Sequence, residues 1–344
     1  MAGWMDLFKG VRANREHSDL VCLDFGAAGM KAVRMKRTKD QVAVSAVELL
    51  PATPLATGDG EGRAARLVLP PSLRAKYAAT TIDTPRTVVR LLNLPAHSEP
   101  GETLETQIRA QLGLGEDHRI GHLPISTPAG KAMTRVLATA VPEEEVLAVL
   151  SLLGAGAPAP CSLELAGLGT LTAFLCGPGA QLGGEHVCLV ETGAHATCLS
   201  FLNRGNLALF RKYETGAESV VDALRKQFDV DAATATTILD GSSIDLTALL
   251  HEVMEHVFRQ MTLSRDFVER EENCRVTRVF VAGGLGLSAF WRQSLRDLLG
   301  LTVETWNPFE GLAVAPGAIP AALAGQEIRF AAAVGAGLGV FRLS

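Results

Sequence analysis

The stretch Val21-Cys22-Leu23-Asp24-Phe25-Gly26-Ala27-Ala28-Gly29-Met30-Lys31 decides how the chain reads. An apolar strand closes on a carboxylate, Asp24, and turns at Gly26, where no side chain keeps backbone amides from an anion. Lys31 follows at a distance that a returning strand can bring back to the turn. The pattern recurs at Val187-Cys188-Leu189-Val190-Glu191-Thr192-Gly193-Ala194-His195, and residues 197–202 leave it as the second arm of a hairpin. A third apolar run, Val279-Phe280-Val281-Ala282, enters Gly283-Gly284-Leu285-Gly286 and then a helical pattern over 287–299. Two turns that suit phosphate and one that suits a flat base describe a nucleotide cleft between two related lobes.

A chain of 344 residues has room for two large lobes, since single cores rarely grow beyond roughly 250–300 residues. The net charge of −5 and the scattered Lys and Arg leave no basic face for nucleic acid. Six cysteines, Cys22, Cys161, Cys176, Cys188, Cys198 and Cys274, form no CxxC pair and read as small core hydrophobes of a reducing compartment. No apolar run approaches the roughly 20 residues of a membrane span, and the start lacks a signal-peptide core, so the expectation is a cytoplasmic protein. The opening Trp4-Met5-Asp6-Leu7-Phe8 is a short amphipathic patch, read either as a terminus that frays or packs on its own domain or as a contact for a membrane or a partner.

Strands are expected over 20–23, 30–35, 42–50, 78–82, 87–94 and 133–141, with a Gly-rich interruption at 57–63 and a break at Pro70-Pro71. Helices are expected over 102–112, with Leu104, Ile108 and Leu112 on one face, and over 143–153. Further on, helices are expected over 218–228 and 231–239. A single long helix from Asp245 to about Glu271 is expected on the stripe Leu246, Leu249, Leu250, Val253, Val257 and Met261.

Together these motifs resemble the actin, Hsp70 and hexokinase superfamily, and within it the PilM family of FtsA-like proteins of type IV pilus assembly. The matching stretches are 21–34, 136–169, 187–228 and 279–309, ending in Trp306-Asn307-Pro308-Phe309, with an Ala- and Gly-rich closing helix over 330–343. The resemblance implies an α/β, actin-like (ribonuclease H-like) two-lobed fold. It places a first lobe, 1A, at 1–84 and 163–184, an inserted 1C-type subdomain at 85–162, and a closing C-terminal segment at 317–344. The second lobe falls at 185–316, its 2B part reduced to about 236–274, because only Gly241-Ser242-Ser243-Ile244 separates two of its helices.

The resemblance also implies ATP with magnesium. Asp24, Gly26, Ala27, Ala28 and Lys31 belong to the first phosphate turn, and Gly193, Ala194, His195 and Thr197 to the second. Gly216 and Glu218 open the following helix, and Gly283, Gly284 and Leu285 face the base. Asp24 and Glu191 would orient magnesium through water, with Glu191 as candidate catalytic carboxylate. This chain departs from the pattern: Glu191 stands where Asp is usual, Ala27 and Ala28 replace hydroxyls, and Ala235-Thr236-Thr237-Ile238-Leu239 lacks the Glu and Lys that approach ribose and adenine. ATP binding is therefore expected with weak or lost hydrolysis.

The implied partner is a PilN-like inner-membrane protein of a pilus or type II secretion apparatus, held by its cytoplasmic N-terminal tail against the insert. Membrane association would run only through that partner, and self-association is compatible with the family. The other reading is a small-molecule kinase, which needs a catalytic Asp facing its substrate. FtsA itself fits less well, since it ends in a polar linker and an amphipathic helix, whereas this sequence ends at Phe341-Arg342-Leu343-Ser344.

Overall fold

The computed structural model describes residues 17–39, 41–53, 66–95, 103–126, 133–154, 156–241 and 244–343; the Trp4 to Phe8 patch, the Gly-rich 57–63 stretch and Ser242-Ser243 lie outside the described residues. β1 (Asp19–Gly26) turns at Ala27-Ala28 into β2 (Gly29–Thr38), and β3 (Gln41–Leu50) continues the meander. β1 is buried from Leu20 to Phe25, which is why it reads as an unbroken apolar run. β4 (Tyr77–Ile82) lies parallel to β1.

The chain then leaves this sheet. β5 (Val88–Pro95), α1 (Leu104–Leu112), β6 (His118–Ser126) and β7 (Met133–Pro142) form a separate layer whose three antiparallel strands run in the order β5-β7-β6. It has its own small core of Leu94, Ile108, Val136 and Ala138. α1 starts where Thr103 Oγ1 accepts from the Thr106 N–H and stops at Gly113, in the left-handed region. α2 (Glu143–Leu153) returns the chain to β8 (Ala159–Leu165), the strand beside β4, and α3 (Ala166–Cys176) follows.

The second lobe repeats the plan with β9 (His186–Thr192), β10 (Thr197–Asn203) and β11 (Asn206–Tyr213), then α4 (Ala217–Phe228), α5 (Ala232–Gly241), α6 (Thr247–Val253) and α7 (Glu255–Glu271). β12 (Arg278–Ala282), α8 (Ala289–Leu299) and β13 (Thr302–Glu304) complete it, after which β14 (Ala313–Val314) and α9 (Ala331–Leu343) return to the first lobe. The sheets run β14-β3-β2-β1-β4-β8 and β11-β10-β9-β12-β13. In each, an antiparallel meander is extended by two strands parallel to its first member. The carboxyl ends of β1, β4, β9 and β12 all open on the space between the lobes, where ligands of α/β sheets collect.

Two sequence expectations are corrected. The long helix over 245–271 is two helices that break at Met254, because α6 packs on α4 and α8 while α7 packs on β10 and β11, so each stripe faces its own partner. The helix after the double glycine begins at Ala289, with Leu285–Leu287 forming a 3-10 turn before it. β6, an edge strand carrying Gly121 and Pro124, was not expected from any alternation.

The first lobe holds one tight helix pair. A Cβ at Gly335 would sit 1.7 Å from the Gly169 carbonyl oxygen, and one at Gly169 would sit 2.7 Å from that of Ala332, so α3 and α9 meet backbone to backbone. α9 also lies on β1, β2, β4 and β8. Gly335→Ala is expected to cost about 3 kcal/mol, seen as a lower urea midpoint. Gly184→Ala, whose Cβ meets nothing within 4 Å, should leave the midpoint unchanged.

Candidate functional site

A cavity of about 330 Å³ lies between the lobes at those four strand ends. From the first lobe it is lined by Asp24, Gly26, Ala27, Ala28, Lys31, Asp83, Ala166 and Thr170, and from the second by Glu191, Gly193, Ala194, His195 and Glu218, with Gly283, Gly284 and Leu285 at the far end. Asp24 is fixed from two sides: Lys31 Nζ lies 3.2 Å from Oδ2, and Thr81 Oγ1 donates to Oδ1 at 3.0 Å. The register sets this up, since Asp24 and Lys31 are cross-strand partners and Asp24 and Thr81 neighbours in the parallel pair. A Cβ on Gly26 would meet Lys31 Nζ at 2.3 Å, so the missing side chain is what lets the lysine reach the turn.

Two predicted residues stand behind the wall. Thr197 is fully buried and donates to the Thr215 carbonyl at 2.7 Å. Gly216 lies under the second turn, where a Cβ would meet Ala194 O at 2.4 Å; the next two N–H groups, of Ala217 and Glu218, hold the carbonyls of Gly193 and Ala194 at 2.9 Å. Gly283 is likewise structural: with φ +80° and a Cβ position 2.3 Å from Thr192 O, it lets the end of β12 press on the end of β9. His195 pairs with Glu218, also on the cavity wall, at 2.7 Å.

Sequence reasoning missed Asp83, Thr170, Asp240 and Arg329, all on the wall. Asp83 carried a signal, being a carboxylate directly after a strand, as Asp24 is within its turn. The others are assembled only by the tertiary fold. Asp83 is held by Lys212 of β11 at 2.8 Å, and the same ammonium binds Glu214 at 3.0 Å, donates to Thr87 Oγ1 at 2.9 Å and donates to the Thr84 carbonyl.

The cleft is acidic, with Asp24, Asp83, Glu191, Glu218 and Asp240 set against Lys31 and Arg329. Burial, then the charges of Asp83 and Asp24, push the Glu191 carboxyl up to about 8, with Lys31 pulling the other way. Burial also raises Asp83, partly offset by Lys212. An anionic nucleotide fits such walls only with a divalent cation between, and among the described residues no group of three or more His, Cys, Asp and Glu is set to hold one directly. Asp24 and Glu191 both line the cavity beside the two glycine turns. The Thr170 hydroxyl is buried at this wall without a hydrogen-bond partner among the described residues.

A second cavity, also about 330 Å³, runs along the free edge of β8 between the first lobe and the inserted sheet. Leu123, Leu137, Val141, Leu163, Leu165, Leu168 and Leu171 make it apolar, and Gly121, His122, Thr139, Glu164, Thr172 and Gly339 complete it.

Two lobes of one strand topology facing a shared cleft define an actin-like fold. No protein-family model matches the chain, and no curated protein matches it in sequence. Among solved structures it is similar to a chain of a PilM-PilN type IV pilus biogenesis complex, at 21% identity over 94% of this chain and 98% of that one, with a TM-score of 0.76. It is similar at 13% identity, 93% and 89% coverage and a TM-score of 0.45 to the ethanolamine utilization protein EutJ from Carboxydothermus hydrogenoformans. The likeness to the first extends over the insert as well as both lobes.

Two outcomes test the cleft. Gly193 accepts a Cβ without collision, its nearest atom being Ala196 O at 3.6 Å, so Gly193→Leu is expected to keep the fold and weaken magnesium-ATP binding at least about ten-fold by calorimetry. The folded chain holds the Glu191 proton between its ordinary 4.5 and about 8, so this group's stabilisation is full below pH 4.5 and is lost as pH rises towards 8. Glu191→Gln should raise the melting temperature at pH 8 by roughly 2–4 °C and change it little at pH 4.5.

Proposed function

We propose that this chain is a cytoplasmic actin-like component of a type IV pilus or type II secretion assembly platform, and that it binds the cytoplasmic N-terminal tail of a PilN-like inner-membrane protein. The observation that carries this is the apolar groove between β8 and the inserted sheet. Among the described residues β8 pairs with β4 on one side only, so its outer backbone groups are available to an extended segment, and the leucines on either side offer pockets for alternate side chains. The PilM-PilN complex to which the chain is similar supports a partner of this kind. Among the described residues no helix is long and apolar enough to cross a membrane, which suits a protein brought to the bilayer by its partner.

In this reading the cleft takes ATP with magnesium as a regulatory ligand and turns it over slowly. Lys31 and the two glycine turns would hold phosphate, and Asp24 and Glu191 would hold a magnesium ion, which would supply neutralisation of phosphate charge. Three features slow the chemistry. Asp24 is already tied to Lys31 and Thr81, Glu191 holds a proton near neutral pH, and the helix start facing the cleft presents Ala166, which has no group to orient a water. Nucleotide shifts partner affinity only as far as it binds one arrangement of the lobes better than another.

A tail a few residues long binds modestly alone and gains from clustering at the membrane. Leu123→Glu with Leu168→Glu puts charge into the apolar groove on both walls. The double variant should lose at least about ten-fold in affinity for a peptide of a PilN-like tail from the same genome, measured by fluorescence anisotropy. Undiminished binding would move the partner to the second lobe.

A further inference from the structure

The groove holds one formally anionic side chain among its leucines, Glu164 of β8. Its carboxyl is placed deliberately: a Cβ at Gly339 of α9 would fall 2.8 Å from Oε1, so a glycine there leaves the space it occupies. Glu164 shares a strand face with Ser162, its hydrogen-bond partner, and none of the described residues lining the groove is Lys or Arg. Building a carboxyl into an apolar channel without a cation is costly unless something else supplies one.

We infer that Glu164 is the selectivity group of the groove and takes one cationic side chain, Lys or Arg, from an otherwise apolar extended tail. The inference rests on the tail reading given above. The cytoplasmic flanks of membrane spans carry an excess of Lys and Arg, so a tail of this origin brings the missing charge with it. The state of the free groove agrees, because burial pushes the Glu164 carboxyl up to about 7, the position of an acid awaiting a partner. The titratable groups around it are Cys22 of β1, Cys161 on its own strand, Cys176 of α3 with Arg342 of α9 beside it, and His122 of β6 across the groove.

The test is a positional-scanning array of short extended peptides, probed with the purified chain and with Glu164→Gln. The unaltered chain should select apolar residues at alternate positions and Lys or Arg at one position between them. Glu164→Gln should keep the apolar selection and lose the cationic one, with about a ten-fold weaker affinity for the best Lys-containing peptide in solution. That affinity should rise as pH passes upward through about 7 in the unaltered chain and stay flat in Glu164→Gln. If Glu164→Gln does not fold, as judged by its melting curve, Gly339→Ala, which crowds the carboxyl from α9, should lower the same affinity. Apolar selection with the same cationic preference in both proteins, or with none in the unaltered chain, overturns the Glu164 assignment and leaves the tail reading standing. Failure of both proteins to retain any apolar peptide overturns the tail reading, and the assignment with it.

Discussion

The backbone contact between Gly169 and Gly335 is the constraint on which both cavities depend. Any side chain at either position would drive α3 and α9 apart, and these helices wall both sites. Ala166 and Thr170 of α3 and Ala331 and Ala332 of α9 face the interlobe cleft, while Leu168, Leu171 and Thr172 of α3 and Gly339 of α9 face the groove. Interiors packed at this density transmit displacement rather than absorb it. A ligand that moves the helix pair at one cavity is felt at the other, which is the physical content of any coupling between nucleotide and tail.

The electrostatics of the cleft follow from its position at strand ends. Carboxylates at the ends of β1, β4 and β9 converge on the cleft, and the chain answers them in part with Lys31 and with Lys212, which reaches from the second lobe to the segment just ahead of the insert. Proton uptake by Glu191 relieves what remains. In the reading proposed above, a cation brought in with a nucleotide would compete with that proton. Lys212 also binds the Thr84 carbonyl and Thr87, at the root of β5.

Much of this was legible in the sequence. Strands buried on both faces, such as β1 and β9, read plainly as apolar runs, and the glycine turns after them located the cleft. What was hidden had tertiary causes. Gly216 and Gly283 read as ligand glycines, yet each is required because another stretch of backbone occupies the place of its side chain. The stripe over 246–261 is continuous in sequence, and only the different partners of α6 and α7 break it at Met254. Asp240 and Arg329 come from distant segments with no shared motif. The groove left no local pattern, since its leucines are scattered over β6, β7, β8 and α3, and only the resemblance pointed to a surface at the insert.

The central claim is that a partner's tail lies along the outer edge of β8. Hydrogen–deuterium exchange of the full chain, with and without a peptide of a PilN-like tail, tests it most directly, because an added strand protects the amides it pairs with. The account predicts slowed exchange in β8, in α3 and in β6, with β9 to β11 unchanged. Protection confined to the second lobe, with β8 exchanging as in the free chain, would contradict it.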